Sequence, residues 1–98
     1  PVQALIYVES QGHEQLLHLT GWSKKELYTR MTMAQLEELL FPQGFLRIHK
    51  QFLVNMAYLQ SLQSTGALLT TGKSLKASAR NYRENQQKFV DWKTHQIW

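Results

Sequence analysis

The 98-residue chain contains no cysteine. Disulfides and thiolate metal sites are therefore excluded, and the composition fits a reducing compartment. There is one aspartate, Asp91, and the four histidines (His13, His18, His49 and His95) show no helical i, i+4 pair and no clustered metal-site spacing. No glycine-rich loop is spaced to cradle a phosphate. Together these gaps argue against an enzyme and predict no metal or other cofactor. No apolar run approaches the roughly 18 residues of a membrane span, and no signal segment opens the chain. Between Glu38 and Glu84 there is no carboxylate at all.

What occupies that gap is basic: Arg47, Lys50, Lys73, Lys76, Arg80 and Arg83. Residues 1–46 carry three basic and five acidic side chains, whereas residues 47–98 carry eight basic and two acidic, so a net charge of +4 is unevenly placed. A one-signed surface of this kind attracts a polyanion through its long-range field and through counterion release. Charge asymmetry alone is better served by a solvated basic face. With 43% apolar residues the chain can build one modest core, which suits a single domain over 1–98. Pro1 at the start suggests a trimmed or processed end, with room for an upstream domain.

Ala4–Glu9 reads as a strand, Ser10 to His13 as a turn, and Glu14–Thr20 as the returning strand of a hairpin. Gly21 and Ser23 mark a further turn, and Lys25–Met31 alternates as a third strand. Thr32 opens a short helix as N-cap, with Gln35 placed to close a capping box. Met33, Leu36, Leu39 and Leu40 form its apolar stripe, Glu37 and Glu38 face outward, and Pro42 and Gly44 end it. Its acidic side would repel phosphate, which makes it a scaffold element. Strands are expected over Met56–Leu62, Ala67–Thr71 and Ser74–Ser78, with Gly72-Lys73 as a tight turn. Ser78 can cap a terminal helix beginning near Ala79, where Tyr82, Phe89, Val90 and Trp92 supply apolar contacts. The fold class is mainly β, built of small antiparallel sheets with one short internal helix and a C-terminal helix. Tyr7, Phe45, Phe52, Tyr58 and Phe89 are core candidates, while Trp22 and Trp98 lie outside any periodic pattern.

The central stretch, Phe45 to Asn55, reads F-L-R-I-H-K-Q-F-L-V-N. Alternation up to Ile48 is broken by His49-Lys50-Gln51, and an apolar run of strand character resumes after it. This is a strand, a polar connection and another strand. The motif resembles that of the LytTR-type DNA-binding domains of bacterial transcription regulators. Val8 to His13 (V-E-S-Q-G-H) resembles the family's strand-end acidic residue and loop histidine. Lys76 to Arg83 (K-A-S-A-R-N-Y-R) resembles its serine-x-arginine segment at the last strand–helix junction. The resemblance spans roughly residues 4–90. It implies loops, rather than a recognition helix, entering successive major grooves of double-stranded DNA. It also implies paired repeat sites, two copies per site, a cytoplasmic setting, no membrane, and often a fused or separate receiver domain. Family members generally carry a further strand upstream of the position of Ala4, which is absent or clipped here.

By that resemblance His13, Lys50 and Arg80 are the candidate base contacts. Lysine can reach guanine O6/N7 or neutralise phosphate, and arginine can grip the same edge with two bonds. Gln51, Ser78, Asn81, Arg83 and Lys76 are candidate backbone contacts. The free N–H groups of a helix start beside Ser78 offer an anion site, and cations at Arg80 and Arg83 would oppose the helix dipole there, a placement that makes sense if an anion is to be met. Arg47 and His49, flanked by Phe45 and Phe52, are expected to serve the framework through hydrogen bonds, and Asn55 to fix a turn. Two other readings of the basic face remain open. An RNA-binding module would prefer single strands or A-form helices, and a protein-interaction domain with an acidic partner would not bind duplexes even at low salt.

Overall fold

The computed structural model describes residues 2–21 and 27–97, the last two as backbone only. It forms strands β1 (Leu5–Gln11), β2 (Glu14–Leu19) and β3 (Leu27–Thr29), helix α1 (Met33–Leu40), then β4 (Phe45–His49) and β5 (Phe52–Asn55). After these come β6 (Leu59–Leu62), β7 (Gly66–Leu69), β8 (Ser74–Lys76) and helix α2 (Tyr82–Ile97). The strands make two antiparallel sheets, one in the order β3-β2-β1-β5-β4 and one of β6-β7-β8.

Strand alternation explains how the larger sheet is sandwiched. Leu5, Val8, Phe45 and Leu53 point to one face, where they meet Met33, Leu36 and Leu40 of α1. Tyr7, Leu46, Ile48 and Val54 point to the other, where they pack on Leu59, Leu62, Ala67, Leu69 and Leu75 of the small sheet and on Phe89 of α2. A bulge between Leu5 and Tyr7 lets both residues turn inward on opposite faces. Phe45, Leu53 and Val54 are fully buried. Burying each such side chain contributes about 1.5–3 kcal/mol.

The α1 start forms the anticipated reciprocal cap. The Gln35 N–H donates to Thr32 Oγ1 at 3.1 Å and the Thr32 N–H donates to Gln35 Oε1 at 2.9 Å. A single 3-10 turn, Phe41–Gln43, follows and ends at Gly44 with φ +91°. A Cβ there would also lie 2.9 Å from Trp92 Nε1, so glycine is required by conformation and by space.

Several elements differ from the expectation. Leu39 is 58% exposed, because the α1 face against the sheet is covered by Met33, Leu36 and Leu40 alone. Met56–Tyr58 is a 3-10 turn rather than the start of a strand: Asn55 accepts from the Ala57 N–H at 3.0 Å and donates to the Leu5 carbonyl at 3.0 Å, which bends the chain out of the sheet. The β3 expectation at Lys25 and Glu26, the turn at Ser23, and Trp22 and Trp98 lie outside the described residues. Val90, expected to pack, is 40% exposed.

Candidate nucleic-acid interface

One end of the molecule gathers the candidate loops. Glu9 of β1 pairs with Phe52 of β5, and the Ser10 N–H donates to the Gln51 carbonyl at 2.8 Å. This sets the β1–β2 turn, with exposed His13, beside the β4–β5 turn that carries Lys50 and Gln51. On the other side, the Ser78 N–H donates to the Ile48 carbonyl at 2.8 Å, which attaches the β8–α2 junction to the free edge of β4. A cleft between β4–β5 and this junction is lined by Lys50, His49, Arg47, Ser78, Arg80 and Asn81. Lys76 lies close enough to act electrostatically on His49. Arg83 lines a smaller hollow over the start of α2, and His13 lines neither.

Helix α2 begins at Tyr82, later than Ala79. The cause is local: Ser78 Oγ accepts from the Arg80 N–H at 3.3 Å, which closes a turn instead of capping the helix, and the Asn81 carbonyl accepts the first helical bond, from Asn85 at 2.9 Å. Arg80 is therefore not in the first helical turn. It stands in an exposed turn just ahead of the helix, lining both the cleft and the hollow at the helix start.

The β4–β5 connection has two residues, Lys50 and Gln51, between the paired His49 and Phe52. Two-residue hairpins favour turns with positive φ, yet among the described residues no side-chain-bearing residue has one. The mismatch in twist is absorbed by a bulge between Arg47 and His49, and side chains hold the turn's shape. Arg47 Nη2 donates to the Lys50 carbonyl at 2.8 Å, and the Gln51 N–H donates to His49 Nδ1 at 3.1 Å. Arg47 is itself held by Glu37 of α1 at 3.3 Å, and its carbonyl accepts from Asn85 Nδ2 of α2 at 3.1 Å. Burial, followed by Lys50 and Lys76, lowers the His49 pKa from its ordinary value.

Two contributors went unrecognised in the sequence. Helical spacing turns Glu37 outward, yet it lines the cleft and neutralises Arg47. Asn85 is buried in the stripe formed with Tyr82 and Phe89, and an asparagine at that helical spacing was the available signal. Carboxylates cover Arg47, Lys88 and Arg30 through Glu37, Glu84 and Glu14. Among the described residues, Lys50, Lys76, Arg80 and Arg83 make no ion pair. The cleft thus offers uncompensated cations, hydroxyl and amide donors and one imidazole, a donor set matched to phosphates and base edges. Among the described residues no group of three or more potential metal ligands occurs, and no helix is long and apolar enough to cross a membrane.

The family model for the LytTr DNA-binding domain matches residues 1–89. No curated protein matches the chain. Among solved structures, the fold is similar to the LytTr DNA-binding domain of a protein described as a methyl-accepting/DNA response regulator from Bacillus cereus. The two are 19% identical, with a TM-score of 0.74 over 92% of this chain and 84% of that one. The chain belongs to the LytTr DNA-binding domain family.

Proposed function

We propose that this domain recognises a specific double-stranded DNA sequence for a bacterial transcription regulator, reading bases with loops from successive major grooves. The observation that carries this is the set of unpaired cations brought together by two different turns across one cleft, with a third turn alongside. Lys50 and Arg80 read bases, with His13 as the third reader at the far side. Gln51, Lys76, Ser78, Asn81 and Arg83 position the domain on the backbone. Two copies occupy a paired repeat in the cytoplasm, and a receiver domain, fused or separate, governs them.

Competition binding tests this reading. A labelled B-form duplex carrying a selected site should be displaced by itself far better than by an A-form RNA duplex or a single strand of equal length. Titration should saturate at two domains per paired repeat. Stronger displacement by RNA would overturn the duplex-DNA reading.

A further inference from the structure

The two bonds that hold the β4–β5 turn grip the two ends of one peptide unit: Arg47 takes the Lys50 oxygen and His49 takes the Gln51 hydrogen. The orientation of that central peptide distinguishes one turn type from another, and its rotation would swing Lys50 and Gln51 together. We propose that His49 is a positioning residue whose neutral ring locks the Lys50–Gln51 peptide for base reading, so that protonation converts selective binding into unselective binding. This rests on the DNA reading above.

The chemistry follows from the tautomer. Accepting from Gln51 leaves Nδ1 without a proton and puts the ring's hydrogen on Nε2. A protonated ring carries hydrogen on both nitrogens, so Nδ1 would face the Gln51 N–H as a second donor and the lock would be lost. Four other bends use the same side-chain acceptor two residues ahead of a backbone N–H: Thr29 to Met31, Asn55 to Ala57, Thr71 to Lys73 and Ser78 to Arg80. Those acceptors do not titrate near neutrality; an imidazole does.

The surroundings keep the free ring neutral. Lys50 beside it and Lys76 of β8 both disfavour its charge, after burial itself. Arg47 of β4, Arg80 of the junction and Lys88 of α2 line the same cleft, and its two carboxylates, Glu37 and Glu84, are paired with Arg47 and Lys88. The Phe52 ring, centred 5.9 Å away, adds no charge. A polyanion laid in the cleft would favour the charged ring, so the change lies at higher pH on DNA than off it. The added charge strengthens attraction to any duplex while the freed turn loses its aim.

The test uses this chain and its His49→Asn and His49→Ala variants. Asparagine places a non-titrating acceptor near the position of Nδ1. The readout is the ratio of affinities for a selected duplex and for random duplex at fixed salt. Between about pH 7.5 and about pH 5.5 the wild-type ratio should fall about fivefold or more without loss of random-duplex affinity. His49→Asn should match the wild type at the upper pH and stay flat, and His49→Ala should be unselective throughout. Identical pH profiles for wild type and His49→Asn would overturn the proposal, as would full selectivity in a folded His49→Ala. In the free chain the Gln51 amide NMR shift should follow the His49 ring titration. That measurement needs no DNA, so an immobile Gln51 shift refutes the lock even where DNA binding stands. If no duplex is selected, the DNA reading fails separately.

Discussion

Arg80 and Arg83 are three positions apart and differ in what they face. Arg80 lines the main cleft with Lys50 as well as the hollow over the start of α2, whereas Arg83 lines that hollow and not the cleft. Replacing Arg80 by alanine should cost about 1–3 kcal/mol on a selected duplex and relax the preference at one base position. Arg83→Ala should weaken all duplexes by similar factors. Equal, sequence-independent losses for both, measured by anisotropy on matched and mismatched duplexes, would remove Arg80 from the base-reading set. The residue types of this segment were legible in the sequence, but the conformation of Arg80 was not. A serine ahead of a helix can either close a turn or cap the helix, and residue type does not decide between them; here its Oγ takes the Arg80 N–H. His49 has a stability consequence as well. Its folded pKa is lower than its unfolded one, so its contribution is present above the unfolded value of about 6.5 and is lost as pH falls through the folded value. Thermal melts from neutral to mildly acid pH should show His49→Asn losing less stability than the wild type.

At the scale of elements, β4 and the turn after it depend on three neighbours: α1 through Glu37, α2 through Asn85, and the β8–α2 junction through Ser78. Asn85→Ala leaves the Arg47 carbonyl without its side-chain partner and should cost about 1–3 kcal/mol in denaturant unfolding. It should also lower selectivity more than random-duplex affinity, because it loosens the clamp without removing a cation. A change below about 0.5 kcal/mol would show that α2 is held by its apolar contacts, Tyr82, Phe89 and Trp92, without help from Asn85. Composition and turn residues marked β1 and β2, alternation marked β4, a resumed apolar run marked β5, and the N-cap and capping box located α1. The turn at Asn55 was legible from its residue type, and its side chain does fix it; what periodicity could not show was the tie from that side chain to the Leu5 carbonyl, distant in sequence. Nor could it show that Glu37 folds back onto Arg47, because that pairing joins a helix to a strand ten residues later.

Across the whole molecule, the charge asymmetry visible in the sequence becomes a spatial one. Among the described residues, carboxylates pair Arg30, Arg47 and Lys88, and leave Lys50 and Arg80 in the cleft, with Lys76 and Arg83 near it, without an ion pair. If two to four of these neutralise phosphates, the logarithm of the binding constant should fall with the logarithm of salt with a slope of about −2 to −4 per domain. Arg83→Ala should reduce that slope by about 1. A slope near zero would mean that the basic end meets something other than a polyelectrolyte. The central claim is selective reading of duplex DNA, and selection from a randomised B-form pool tests it most directly, run in parallel with wild type and Arg80→Ala at fixed salt. The wild type should enrich one sequence that binds far better than the bulk pool, and Arg80→Ala should lose enrichment at a single position of it. If both proteins retain every duplex alike and release them at the same salt, the domain does not read sequence, and only a basic surface is left.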